Sequence, residues 1–520
     1  MPATHHHEIE RKFDVASASA VPDLRGVHGI AAFGDPTTVR LKAAYVDTAG
    51  LDLARRHIIL RRREGGADAG WHLKIESETD ERMEHRCPLD SFESPPEALL
   101  GLVRGVVRDR PLDLVACLDT HRTETPLLDR AGDVLALFCD DEVVAETFAP
   151  NAGTTGHPDP VPASTTRWRE WEIELVDGDR RLLAAAARVL LAAGARPGAS
   201  PSKLAHALGD RLTGDAAAHV EPHPKAITTA DLLRQRLRDQ LLALEVQDRA
   251  FRAGEATAVH QMRIVTRRLR SALATFAPVL SDGTTEGHRE DLRWLGLTLG
   301  AARDAEVLHG RLRAELATRP PDEVVGPVAD RIDRRFGQEY AAGRREALEA
   351  LTSPRYYRLL DDLEAFSHDL PIGPSGSHRA TDTVPELLRR DADRFTRAAT
   401  QVTHETDPAV RDTALHEARK KAKRLRYLAE AAVPVYGKRA KRIVRRAKRV
   451  QETLGVHQDA VVARERLASL AAEARKAGED TSTYERLQAL ETDAAARAEA
   501  DYDAVLPGLY RGALPRLSHG

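Results

Sequence analysis

Up to about residue 175, apolar and polar positions alternate in short runs broken by Gly, Pro and Asp, a period of two that predicts strands. The runs are His7–Phe13, Thr38–Val46, His57–Arg63, Gly70–Glu76, Arg82–Leu89, Val134–Cys139 and Arg169–Val176. Asn151–Thr166, rich in Gly, Pro, Ser and Thr, has no period and predicts a mobile loop between two strands. Arg180–Ala195 reads as an Ala/Leu helix that closes this region. The breaker-rich stretch Gly209–Pro224 marks a domain boundary. From Thr228 onward apolar residues recur every three or four positions, which predicts an all-helical second half. That half repeats itself. VHQMRIVTRRLRS (Val259–Ser271) matches LHEARKKAKRLRY (Leu415–Tyr427) at an offset of 156, and LGAARDA (Leu299–Ala305) matches LGVHQDA (Leu454–Ala460) at 155. Two motifs at a nearly constant offset signal a duplication, with Pro371–Ser377 as the expected hinge between the copies.

A chain of 520 residues has room for two to four domains, and 42% hydrophobic residues supply their cores even though 30% are charged. Three cysteines, Cys87, Cys117 and Cys139, are odd in number and widely spaced, which excludes a disulfide framework or a zinc cage and predicts a reducing, cytoplasmic setting. The most apolar stretch, Leu182–Ala193, contains Arg188 and falls short of the ~20 residues that span a bilayer, and the N-terminus has no signal-peptide pattern. No membrane role is expected. The net charge of -3 averages over blocks of opposite sign, and those blocks carry the chemistry.

On a strand Glu8, Glu10 and Lys12 share one face, as do Glu172 and Glu174 opposite Trp171, Ile173 and Leu175. Any one such strand is explained by a polar face turned to water. The cationic strands change that reading: Arg61 with Arg63, His72 with Lys74, and Arg82, Glu84 and Arg86 also share faces, with Arg122 in a further run. If these strands close into a barrel with their apolar residues outward, the interior becomes a charged channel. Unpaired buried charge costs several kcal/mol per ion, so the cations call for a polyanion and the carboxylates for a cation such as Mg2+. A metal-bound triphosphate meets both demands.

These segments, HEIERKF, YVDTAGLDLARRHIILRRREGG, WHLKIES, RMEHR, WEIEL and PSKLAHALG, resemble in order the CYTH domain of the triphosphate tunnel metalloenzymes, over residues 1 to about 209. The resemblance implies an eight-stranded antiparallel tunnel that hydrolyses, or more rarely cyclises, triphosphates with Mg2+ or Mn2+. It implies catalytic roles for Glu8, Glu10, Lys12, Glu172 and Glu174, with the four glutamates as metal ligands, and phosphate contacts from Lys12, Arg61, Arg63, Lys74, Arg122 and Lys203. A further acidic ligand falls on Asp140 or Asp141, with Asp140 the preferred register.

In the helical half Arg263, Arg267, Arg268 and Arg270 lie within about 80° of His260, opposite Met262, Val265, Leu269 and Phe276. The second copy repeats the arrangement with His416, Arg419, Lys420, Lys423, Arg424 and Arg426, and the next helix adds Lys438, Lys441, Arg442, Arg445, Arg446, Lys448 and Arg449. Basic faces with few interleaved carboxylates repel one another unless a polyanion neutralises them. Single-strand nucleic-acid readers add aromatic platforms, for which only Tyr427 and Tyr436 are at hand; duplex binding through the backbone stays open. The HxxR-xxx-RRLR motif, its repeat and the paired LGxxxDA segments resemble the CHAD domain, over about 227–515. That implies two similar four-helix bundles about a pseudo-twofold axis and a basic surface for inorganic polyphosphate. The matching positions are His260, Arg263, Arg267, Arg270, His416, Arg419, Lys423, Arg424 and Arg426, while Asp304 and Asp459 look structural and suited to orienting arginines.

The expected architecture is therefore an α+β multidomain chain: a CYTH tunnel at 1–209, a connection at 210–226, and an all-α CHAD region at 227–515 with halves of about 227–370 and 383–515. The expected function is a cytoplasmic, metal-dependent triphosphatase acting on inorganic triphosphate, joined to a module that binds polyphosphate and associates with polyphosphate granules. The alternatives are a non-catalytic polyphosphate-binding protein and, behind it, an adenylate cyclase; nucleic acid is the lesser partner.

Overall fold

The computed structural model describes residues 4–78, 81–89, 94–149, 162–213 and 227–512, which divide into two units between His219 and Val220. In the first, the wall is built from β1 (Thr4–Val15), β2 (Thr37–Asp47), β3 (Ile58–Glu64), β4 (Gly70–Glu78), β5 (Glu81–Pro88), β6 (Asp113–Leu128), β7 (Val134–Thr147) and β8 (Ser164–Leu175). All pair antiparallel in the order β1-β5-β4-β3-β2-β6-β7-β8, and β8 returns to β1 through Glu10↔Glu174 and Lys12↔Glu172, closing an eight-stranded barrel. Short pieces at Ala32–Phe33 and Arg196–Pro197 add to β6 and β1.

Strand parity sorts the side chains. Helix α1 (Glu97–Val107) buries Leu60, Trp71, Leu73 and Cys87 on the outer wall, and α2 (Arg180–Ala192), capped by Asp179, buries Phe13, Phe138, Trp171 and Ile173. With those residues outward, Glu8, Glu10, Lys12, Arg61, Arg63, Lys74, Glu172 and Glu174 point in. Helix α3 (Lys203–Leu208), capped by Ser202, packs Leu204, Ala207 and Leu208 against Tyr45, Leu118, Val143 and Ala145 inside one end of the barrel; α4 (Asp210–Thr213) follows. Of the expected loop Asn151–Thr166, residues 151–161 lie outside the described residues, and β8 already begins at Ser164. Most of the expected connection 210–226 lies outside them too.

The second unit is helical: α5 (Thr229–Arg252), α6 (Ala258–Phe276), α7 (Glu286–Ala317), α8 (Val328–Leu351), α9 (Pro354–His368), α10 (Ala380–His404), α11 (Pro408–Ala431), α12 (Val433–Lys476) and α13 (Ser482–Gly512). Helices α5–α8 and α10–α13 each pack in sequence, so the duplicated motifs fall on equivalent members: HxxR on α6 and α11, LGxxxDA on α7 and α12. The two halves share their cores. Leu237, Met262, Leu295 and Phe395, Leu425, Ile443 belong to one cluster, and Leu312, Phe336, Leu467 and Leu487 to another. The connector Pro371–Ser377 is no free hinge. Ile372 pairs with Leu280, Gly373 N donates to Val279 O, and Gly376 O accepts from Ala230 N, which fastens it to the ends of α6 and α5. A Cβ on Gly376 would lie 2.5 Å from Val279 O, so this packing requires glycine. Among the described residues no helix is long and apolar enough to cross a membrane.

Candidate active site and a basic groove

The ten inward residues expected from the tunnel strands and α3, from Glu8 to Lys203, line one cavity of about 470 Å3. Lys12 meets Glu172 and, at 3.2 Å, Glu10; Arg82 also meets Glu10. Lys74 bridges Glu8 (2.5 Å) and Glu84 (3.4 Å), and Arg86 reaches Glu8 at 3.3 Å. Along β6 to β8 Arg122 pairs with Asp141 (2.7 Å) and Glu172 (2.5 Å), while Lys203 reaches Asp141, Glu170 and Glu172 within 2.9 Å. Arg63 meets Asp68, and His72 donates from Nε2 to the Asp68 carbonyl oxygen at 2.9 Å while its Nδ1 lies 2.8 Å from Glu84.

Register corrects the preference for Asp140. On β7 it is Asp141, fully buried, that faces the cavity; Asp140 points outward and pairs with Arg169 at 2.6 Å. Asp141, Glu170 and Glu172 bring carboxylate oxygens within 4.8 Å of one another. Glu170 is a site residue that the sequence does not single out, though it extends the Glu172/Glu174 alternation by one step. Glu84 and Asp68 also belong to the site; Glu84 is legible on the face of Arg82 and Arg86, whereas Asp68 sits in the β3–β4 turn, where no periodicity marks it.

The charges are unevenly matched. Burial raises the Glu10 carboxyl, but Lys12 and Arg82 prevail and hold it at about 2; burial opposes ionisation of Glu172 as well, and Lys12, Lys203 and Arg122 keep it well below the carboxylate range. Glu174 has no cation within 4 Å among the described residues, and burial together with Glu8 and Glu10 pushes it up to about 7. Arg63 shows the converse: burial and the adjacent Arg61 push it down to about 9, and the Nε atoms of both arginines are buried without an acceptor. The donor set suits a hard divalent cation, since the Glu174 carboxylate lies beside Glu8 and Glu10 with no cation of its own within 4 Å among the described residues.

In the helical unit α6, the start of α7 and α11 enclose a groove of about 700 Å3. Arg267, Arg270, His416, Arg419, Lys423 and Arg424 line it, and α7 adds Arg289 and Arg293, which no repeat motif had marked. Arg424 is tied to the buried Asp391 at 2.9 Å. Three expected residues lie outside the lining: Arg263 pairs with Asp304 (2.6 Å), Arg426 with Glu430 (3.2 Å), and His260 sits near Arg303, Arg267 and Arg263. Lys423 has no carboxylate within 4 Å among the described residues; burial, then Arg419 and Arg267, push its ammonium down to about 7. Burial likewise lowers His260 and His416. The aromatic platforms are not free: Tyr427 is buried under Arg426 and Arg268, and the Tyr436 hydroxyl donates to Thr381 O at 2.6 Å.

A closed tunnel lined by opposed cations and carboxylates, joined in one chain to a duplicated helical unit with a cationic groove, defines a two-module protein equipped for anionic ligands. Residues 6–207 match the CYTH domain and residues 235–468 the CHAD domain. The chain is 41% identical over 506 residues to the uncharacterized proteins Rv2226 and MT2285 of two Mycobacterium tuberculosis strains, covering 96% of each partner. It belongs to the CYTH–CHAD family. Among solved structures, PptA from Streptomyces chartreusis is 23% identical, covering 54% of this chain and 100% of its own, with a TM-score of 0.46. The CHAD domain from the plant Ricinus communis is 26% identical, covering 55% and 93%, with a TM-score of 0.43.

Proposed function

We propose that the tunnel hydrolyses inorganic triphosphate in a metal-dependent reaction and that the helical groove holds inorganic polyphosphate. One observation carries the first part: a single cavity contains both guanidinium Nε atoms without an acceptor, on Arg61 and Arg63, and a carboxylate with no cation within 4 Å among the described residues, that of Glu174. A ligand that brings phosphate oxygens and a divalent ion together answers both. Glu8, Glu10, Glu172 and Glu174, with Asp141 in reach of Glu172, would hold Mg2+ or Mn2+, which would supply charge neutralisation and a polarised water. Arg61, Arg63, Lys12, Lys74, Arg122 and Lys203 take the phosphate oxygens, exchanging their present carboxylate partners for the substrate. Water attacks the terminal phosphorus, the bridging P–O bond breaks, and orthophosphate and pyrophosphate result. Tyr45, which Arg61 contacts at 3.5 Å, is the one aromatic side chain among the described lining residues, so no platform for a base favours a nucleotide.

The groove reading rests on cations gathered from three helices with few acids among them, which is an arrangement for a chain of phosphates. The test is orthophosphate release from triphosphate and ATP, with Mg2+, with Mn2+ and with chelator, by wild type and Glu10→Ala. Release from triphosphate that needs metal and is lost in Glu10→Ala is the expected result. No release under any condition leaves a binding protein, and cyclic AMP formed from ATP moves the tunnel to the cyclases.

A further inference from the structure

The first part of α12 carries a charge pattern that neither tunnel nor groove uses. Eight of the twelve residues from Lys438 to Arg449 are Lys or Arg, and no Asp or Glu occurs between Glu430 and Glu452. Ala440, Ile443, Ala447 and Val450 turn into the core, and on the other side Lys438, Arg439, Lys441, Arg445, Lys448 and Arg449 are exposed. Among the described residues only Lys448 of these eight has a carboxylate within 4 Å, Glu452 at 3.5 Å. An ordinary solvated helix face interleaves its charges, and this unit does so elsewhere: Arg303 pairs with Glu306, Arg311 with Glu491, Arg335 with Glu339 and Arg411 with Glu499. The duplication sharpens the contrast, because the corresponding start of α7 mixes Arg289 and Arg293 with Glu286, Glu290 and Asp291. Like charges repeated four apart, as at Lys441, Arg445 and Arg449, destabilise a helix, a cost that a bound anion removes.

We propose that this stripe binds the phosphate backbone of duplex nucleic acid without reading its sequence. The cations run for about 17 Å along an open helix face, at 1.5 Å per residue. They are not gathered into a pocket, which suits a rigid surface bearing one charge per ~1.7 Å better than a single flexible polyphosphate. A bilayer would need an apolar helix face, and the apolar face of α12 is spent in the core. A single strand would need stacking platforms, and both nearby tyrosines are engaged. The proposal does not depend on the activity proposed for the tunnel.

The full-length protein is titrated into a labelled mixed-sequence duplex of about 25 base pairs over a range of salt. It is compared with a stripe variant, Lys441→Glu with Arg445→Glu and Arg449→Glu, and a groove variant, Arg267→Glu with Arg270→Glu, each checked by circular dichroism. Binding should weaken linearly in log–log salt plots, and the stripe variant should bind at least tenfold more weakly with the slope reduced by about three. The groove variant should stay within about twofold of wild type. No duplex binding by wild type at low salt, equal loss in the groove variant, or a stripe variant that loses long-chain polyphosphate or anionic vesicles instead of duplex would each overturn the proposal.

Discussion

Arg263 lies across Gly300: its Nη1 donates to the Gly300 carbonyl oxygen at 3.3 Å and to Asp304 at 2.6 Å. The second copy repeats the approach, with Arg419 Nη2 only 3.3 Å from where a Cβ on Gly455 would stand. The glycine of LGxxxDA thus gives the arginine of HxxR its seat, which is why the two motifs travel together in both halves.

The two glycines differ in one respect that makes a prediction. A Cβ on Gly300 would meet Arg263 at 3.8 Å, an ordinary contact, so Gly300→Ala should stabilise α7 by about 0.5–1 kcal/mol. At Gly455 the methyl group would displace Arg419, a groove residue, and Gly455→Ala should weaken polyphosphate binding several-fold with less stability gained. Thermal melts and polyphosphate titrations of both variants check this; equal behaviour would show that Arg419 has no need of its seat.

Strand parity was legible in the sequence because apolar and charged residues alternate without exception in WHLKI and WEIEL, and closing those strands leaves the charges no place but the inside. At CDDE on β7 the signal fails, since Cys139, Asp140, Asp141 and Glu142 offer no apolar residue long enough to set the phase, and pairing with β8 decides it. The duplication was legible through its motifs. The seat of Arg289 and Arg293 in the groove was not, because it depends on α7 crossing α6 and α11 and leaves no local pattern. The pinned connector at Pro371–Ser377 reads as a hinge for a related reason: Gly and Pro mark both flexibility and tight backbone approach, and only the approach of Val279 tells them apart.

The phase of β7 has a functional consequence. Asp141→Asn should reduce metal-dependent phosphate release by at least tenfold, because it removes a buried partner of both Arg122 and Lys203. Asp140→Asn breaks only the outer pair with Arg169, costing about 1 kcal/mol of stability, and should leave turnover unchanged. Initial rates and melting temperatures of the two variants separate the positions, and the reverse ranking would mean that β7 is shifted by one residue.

Glu174 should make the metal-free protein sensitive to pH. Its folded-state value of about 7 lies above the ordinary glutamate value of 4.5, so folding binds a proton between those limits. The associated stability is present in full at low pH and is lost as pH rises through about 7. Glu174→Gln keeps the uncharged form at every pH. With chelator present it should match wild type near pH 4.5 and exceed it near pH 8, by at most about 3 kcal/mol. Denaturant unfolding at the two pH values measures the difference, and a constant offset would show that Glu174 is not the group responsible.

Lys423 should couple anion binding in the groove to proton uptake. It is faced by Arg263 and Arg267 from α6 and by Arg419 and Arg426 from its own helix, and among nearby carboxylates Asp459 on α12 interacts with it only from beyond 4 Å. In the free protein it sheds its proton near pH 7, well below an ordinary lysine, whereas a bound polyphosphate favours the charged form and draws the proton back. Affinity should therefore fall as pH rises from 7 to 9, by no more than about tenfold per unit for a single proton. His260 and His416, lowered from the usual histidine value of 6.5, titrate below that window. Lys423→Arg keeps its charge throughout, so its affinity should be flat over this range and exceed that of wild type at pH 9. Calorimetry of long-chain polyphosphate binding at pH 8, in buffers of different ionisation heat, should show uptake approaching one proton for wild type and none for Lys423→Arg. If both proteins bind polyphosphate with the same proton uptake, the groove reading survives and the role given to Lys423 does not.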